Sequence, residues 1–141
     1  MRVIKKILTI ISLILSLSAK AQETKSWGSH LVEVYDSAGK TGSNRGIYDL
    51  QLFKRNDSVI LYGQQFGTSL RVYVSLDYVM SVDKNIETAD ILYSYSGGDI
   101  RSKFPVVVFI MFTKDGYAKS IGVGDSRNML KFILDPPESN L

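Results

Sequence analysis

The chain has 141 residues, 17 basic against 14 acidic, one histidine, no cysteine and 15 aromatic side chains. That length holds one domain with one core, and a cysteine-free chain must be held by burial alone, without disulfides. The absence of cysteine also excludes Cys-His catalysis and a lipid-bearing N-terminal cysteine.

Residues 1–21 have the three parts of a secretory signal. Arg2, Lys5 and Lys6 make a positive start, Ile7 to Leu17 an apolar centre, and Ala19-Lys20-Ala21 a small-x-small cleavage site. The apolar centre is shorter than the ~20 residues a membrane-spanning helix requires. The expected organisation is therefore a cleaved signal peptide, 1–21, and a single β-rich exported domain, 22–141. Its destination would be the periplasm or the secreted space, not as a lipoprotein. Residues 1–21 hold four basic residues and no acid, so the remainder has 13 basic and 14 acidic residues, a charge of −1. The basic balance belongs to the signal, and the domain offers nothing basic for nucleic acid. Gln22 to Ser26 reads as a loose leader and Pro136 to Leu141 as a loose tail.

His30 to Tyr35 alternates enough for a first strand. The alternation is clearer in Tyr48–Phe53 and Leu70–Leu76, with Val59–Tyr62 between them. Two-residue turns at Asn56-Asp57 and Gly67-Thr68 fix the register: Leu50 opposes Gly63 and Gly63 opposes Val72. One face then collects Tyr48, Leu50, Leu52, Val59, Leu61, Val72, Val74 and Leu76. A slip of one residue would turn every side chain to the other face, so the consistency of two separate turns argues for a three-stranded meander. The polar face brings Tyr62 beside Tyr73, with Gln51, Gln64 and Arg71 near them. Tyrosine with arginine is a mixture found at binding hot spots, although tyrosines also pair favourably across an ordinary solvated sheet.

Asp77 to Ala89 fits either a longer fourth strand, through Met80 and Val82, or a short helix or loop. Ile91 to Tyr95 suits a fifth strand, and Gly97-Gly98-Asp99 a flexible connection. Pro105 to Phe112 is a run of eight apolar residues, and Asp115-Gly116 after it signals a type I′ hairpin. Pairing outward sets Phe112 against Lys119, Ile110 against Ile121 and Val108 against Val123. The opposite face sets Val107, Phe109 and Met111 beside Gly124, Gly122 and Ser120, a bulky ridge along a shelf of small residues. Such a shelf admits a covering element. Asp125 or Ser126 could cap a short helix with Met129, Leu130, Ile133 and Leu134 on its apolar face, ended by Pro136-Pro137. If that helix does not cover the shelf, a partner or an apolar ligand could.

The fold expected is α+β and mainly antiparallel: a meander-type sheet of six or seven strands, open or partly closed into a barrel, with one short C-terminal helix packed on it. A lone Trp27 ahead of an up-and-down meander resembles a lipocalin-type barrel in topology. The local sequence is Ser26-Trp27-Gly28 where that family has Gly-x-Trp, and the expected strand count is short. The resemblance implies a carrier of a small apolar ligand.

For catalysis, a serine triad would have to use His30, and no Gly-x-Ser-x-Gly elbow is present. Asp77, Asp83, Asp90 and Asp99 are scattered loop acids, whose separation would have to be right for hydrolysis. Asp83 to Glu87 lacks the glycine and distal glutamate of a calcium loop, and Gly122-Val-Gly124 lacks the third glycine of a dinucleotide fingerprint. No cofactor or metal is implied. The reading is a non-catalytic binding or interaction module of the cell envelope or secreted space, with a protein or a small apolar ligand as its partner. A lipocalin-like carrier is the alternative, and a hydrolase using loop carboxylates comes behind it. The candidate binding residues are Tyr62, Tyr73, Arg71, Gln51, Gln64, Val107, Phe109 and Met111.

Overall fold

A computed structural model describes residues 24–68, 71–125 and 127–136. The expected signal peptide and most of the expected tail lie outside those residues. Eight antiparallel strands follow one another: β1 (Lys25–Asp36), β2 (Gly39–Arg55), β3 (Ser58–Gln65), β4 (Arg71–Lys84), β5 (Ile91–Asp99), β6 (Pro105–Phe112), β7 (Ala118–Gly124) and β8 (Asn128–Leu134). Each pairs with the next, and β8 returns to β1, closing the barrel. Successive strands alternate in direction, so Lys25 and Leu134 lie at one end, here called the lower end.

The meander register matches the turn-based expectation. Leu50 opposes Gly63, Leu61 opposes Val74, and Val59 opposes Leu76. Asn56 and Gly67 take the positive φ those turns need, at 55° and 79°. The predicted apolar face is the barrel interior, where Leu50, Leu61, Val108 and Ile121 have no accessible surface. Eight strands enclose a cylinder about wide enough for side chains to fill. Here aromatic rings do much of the filling, with Tyr48 edge-on to Phe132 at 5.6 Å and Tyr93 edge-on to Phe112 at 5.6 Å. Burial pushes the Tyr95 phenol well above its ordinary range.

Outward positions on β2 to β4 mix polar Asp49, Gln51, Gln64, Arg71 and Ser75 with Phe53, Ile60, Tyr62 and Tyr73, while the inward positions are apolar. Among the described residues, no helix is long and apolar enough to cross a membrane.

Several expectations need correction. The C-terminal helix is a strand: Leu130, Phe132 and Leu134 point inward while Met129, Lys131 and Ile133 point outward. Seven residues with apolar side chains on both faces satisfy either period, and the barrel's open seam decides for the strand. The capping signal is nonetheless used, because the Asp125 carboxylate accepts the N–H groups of Arg127 and Asn128 at 2.8 and 2.9 Å. It shapes the β7–β8 turn. The strand count is therefore eight, and the class is all-β.

Gly97-Gly98-Asp99 is the end of β5, not a connection. A Cβ on Gly97 would overlap the carbonyl oxygen of Ser75, where β4 bulges between Leu76 and Tyr78. The glycine permits close approach between strands. The ambiguous Asp77–Ala89 segment prolongs β4 as far as Lys84, and Lys25 and Ser26 already belong to β1.

The Asp115-Gly116 turn holds its register by another route. Gly116 N–H donates to Thr113 O, and Thr113 N–H to Tyr117 O, both at 2.9 Å, with Gly116 at φ 92°. This is a three-residue loop with a glycine bulge. It pairs Phe112 with Ala118, and a second irregularity at Lys119 restores Met111 to Ser120 and Ile110 to Ile121.

Two measurements test this account. Gly97→Ala should lose about 1–3 kcal/mol of unfolding free energy in urea, the usual cost of overpacking. Gly98→Ala, whose Cβ meets nothing nearer than 3.7 Å, should stay close to wild type; equal losses would contradict the close-approach role of Gly97.

The second concerns acid. The Asp99 carboxyl is held below its ordinary 3.8, chiefly by the Ser102 N–H and also by that of Arg101. Asp125 is lowered likewise, by the N–H of Asn128 and then of Arg127. A depressed carboxyl stabilises the fold fully above the ordinary carboxyl pKa, and that stability is lost as pH falls through the folded value. Tm should therefore fall on acidification from about pH 5 toward pH 2. The double variant Asp99→Asn, Asp125→Asn should show a shallower fall.

Candidate functional site

The predicted candidates fall into two patches on the outer wall. On β2–β4, Gln51, Tyr62 and Tyr73 stand in one row, since Gln51 opposes Tyr62 and Tyr62 opposes Tyr73. The two rings meet edge-on at 5.9 Å, the Arg55 guanidinium lies 5.8 Å from the centre of the Tyr73 ring, and the Tyr62 hydroxyl donates to Gln64 Oε1 at 3.3 Å. Arg71 opposes Gln64, and its carbonyl accepts Arg101 Nη2 at 3.1 Å. Tyr62, Tyr73, Gln64 and Arg55 thus engage one another across this wall.

The second patch is concave. β7 presents Ser120, Gly122 and Gly124 outward, with β6 on one side carrying Met111, Phe109 and Val107. On the other side β8 sets Ile133, Lys131 and Met129 opposite the same three residues. Small residues between two ridges leave a valley along β7. A cleft of about 220 Å3 opens there, lined by Leu92, Phe109, Met111, Ser120, Gly122, Met129 and Lys131. That volume equals roughly seven water molecules at ~30 Å3 each. It suits a side chain or a short aliphatic chain, and is below the 300–1,000 Å3 of drug-sized pockets.

Each wall has a reason. Val107, Phe109 and Met111 face outward because Val106, Val108, Ile110 and Phe112 face inward. The upper end is shut by the tight β7–β8 turn, where a Cβ on Gly124 would stand 2.7 Å from Met129 Cα. On Gly122 a Cβ would meet the Met129 sulfur at 3.1 Å and Phe109 Cδ2 at 3.5 Å. The first contact is the far end of a flexible side chain, so the floor can accept added bulk where Gly124 cannot. Two thioethers in the walls let the cleft adapt to its occupant.

Lys131 is the one charged residue lining the cleft. Opposite it on β1 is Glu33, whose carboxylate lies 2.8 Å from Lys40 Nζ and accepts the Tyr35 hydroxyl at 3.0 Å. The hydrogen bond from Lys40 is the main reason the Glu33 carboxyl titrates below its ordinary range; that from Tyr35 adds to it, and Lys131 contributes a small part. Lys131 forms no ion pair with another described residue.

A second opening, of about 470 Å3, lies at the lower end, lined by Lys25, Ser26, Trp27, Gly28, Tyr117, Ala118, Asp135 and Pro136. Trp27 packs against the core from this end. Beside it His30, the sole histidine, is pushed outward where β1 bulges between Ser29 and Leu31. Its Nδ1 lies 2.9 Å from Asp135 Oδ2. The neighbouring Ser29 hydroxyl is turned inward and donates to the Ile133 carbonyl at 2.6 Å, with the Leu31 carbonyl 3.0 Å away. It does not serve His30 as a nucleophile. Among the described residues no group of three or more His, Cys, Asp or Glu could hold a metal ion. The Asp83–Glu87 segment runs into a loop closed on itself, with Asn85 Oδ1 accepting the N–H groups of Glu87 and Thr88.

Sequence reasoning placed the β6 wall and the floor of the cleft and missed Leu92, Met129 and Lys131. Lys131 and Met129 were assigned to a helix or left out, and only the β8 register brings them to Gly122 and Gly124.

The two glycines along β7 give a direct test of the cleft's geometry. Gly122→Ala should fold with stability within about 1 kcal/mol of wild type, because Met129 can swing aside. Gly124→Ala should be clearly less stable in the same urea titration, its Cβ meeting backbone.

An eight-stranded antiparallel barrel is compatible with a lipocalin-like carrier, and that likeness rests on topology. In comparisons with protein families, curated proteins and solved structures, no match to this chain was found.

Proposed function

We propose that the chain is an exported, non-catalytic binding module whose recognition surface lies outside the barrel, in the cleft over Ser120 and Gly122. The observation that carries this reading is an apolar, concave strip with a floor of small residues, open along β7, with no described residue covering it. Exposed apolar strips of this kind mark binding sites more often than accidents of packing. Export rests on the pattern of residues 1–21.

The interior speaks against carriage inside the barrel. Side chains with no accessible surface, such as Leu50, Leu61 and Ile121, line no space large enough for water. A carrier would have to use the lower opening, where Trp27 and Tyr117 offer apolar surface. That is the second reading, and it is experimentally separable because Trp27 is the only tryptophan.

The test is a titration with 1-octanol, followed by the methyl signals of 13C-labelled methionines and by tryptophan fluorescence. Saturable shifts are expected at Met111 and Met129, with Met80 and the Trp27 emission unmoved. Gly122→Leu, which fills the cleft, should abolish them while leaving the fold intact by circular dichroism. Saturable change in Trp27 emission with silent methionines would transfer the site to the lower opening. No saturable change in either probe would remove both readings for small ligands.

A further inference from the structure

Glu33, Lys40 and Lys131 share the outer wall beside the cleft, two ammonium groups to one carboxylate. The carboxylate is held by Lys40 at 2.8 Å, and Lys131 stands across from it with no ion pair to another described residue, adding only a small part to the lowering of the Glu33 carboxyl. One positive charge is thus left over at the cleft's edge. The opposite edge is apolar, with Leu92, Met111 and Phe109. Asp83, the acid nearest that side, pairs with Leu92 in register, one strand beyond the cleft wall, and Asp90 is tied to Lys119 at 3.2 Å. No carboxylate lines the cleft itself.

From this asymmetry we infer that the ligand is a short-chain anionic amphiphile, its aliphatic chain along the Ser120–Gly122 floor and its anionic head at Lys131. The inference rests on the cleft reading above and adds the chemistry of the head group. A volume of about 220 Å3 accepts about seven methylene-sized units, taking each as close to the ~30 Å3 of a water molecule. An eight-carbon monocarboxylate is therefore a suitable probe. Chain burial supplies the affinity, since each buried methylene favours transfer from water. The ammonium supplies discrimination between head groups, which is modest for a pair at the surface and falls with ionic strength.

The test compares octanoate, 1-octanol and octylammonium on the full chain, read by the Met111 and Met129 methyl signals. Octanoate should bind about threefold tighter than octanol at low salt, and octylammonium more weakly than either. The preference should shrink in about 1 M salt, where the Debye length is near 3 Å. Lys131→Gln should bring octanoate and octanol to equal affinity, with circular dichroism showing that the variant still folds and measurable octanol binding showing that it keeps its cleft. Glu33→Gln, which removes the competing carboxylate, should strengthen octanoate binding. Equal affinities for octanoate and octanol in the wild type would overturn the head-group inference and leave the cleft reading standing. Loss of binding for all three compounds would overturn the cleft reading itself.

Discussion

Pairing between the first and last strands is the interaction on which everything else in this barrel depends. Ser29 opposes Leu134, and the ladder continues from Leu31 with Ile133 to Asp36 with Asn128. Without it, β1 and β8 would each present a row of unsatisfied backbone groups, and the barrel would be an open sheet. The seam is imperfect at one place, the bulge at His30, and there the Ser29 hydroxyl takes up the Ile133 carbonyl. A buried serine in an otherwise apolar interior is explained by that repair.

Closure has a second effect, on where binding can occur. An eight-stranded barrel has a narrow interior, and Tyr48, Tyr93, Tyr95, Phe112 and Phe132 occupy much of it. Ligand space is pushed to the outer wall or the lower end. The outer cleft depends on β7 being built from small residues, and β7 can afford them only because Ile121 and Val123 on its other face secure it to the core. Chain alternation thus lets one strand be a core strand inward and the floor of a cleft outward.

Much of this was legible in the amino-acid sequence, for identifiable reasons. The β2–β4 register followed from two short turns and strict alternation, because any slip would have put Asp49 or Gln51 into the interior. The β6–β7 register was also right, although the turn was not: a three-residue loop displaced the pairing by one and the Lys119 irregularity restored it. Local turn chemistry could not reveal two deviations that cancel. β8 was misread because Met129 to Leu134 carries apolar residues on both faces and follows a good capping residue. What made it a strand was the unpaired edges of β1 and β7, a tertiary fact. Half of the cleft inherited that error, since its Lys131 wall belongs to β8. Gly97 was taken for flexibility when its role is contact with Ser75, and sequence does not say which glycines are crowded.

The walls of the cleft have a chemical consequence of their own. With no cysteine in the chain and only four methionines, the thioethers are its only oxidisable sulfurs, and two of them, Met111 and Met129, line this one cleft. Oxidation of either would set a polar sulfoxide against a surface whose attraction is its lack of polarity, a change that sulfoxide reductases reverse. The polarity of the outer wall is therefore tied to the redox history of two side chains, while among the described residues the aromatic and aliphatic interior that holds the barrel shut contains no sulfur to oxidise.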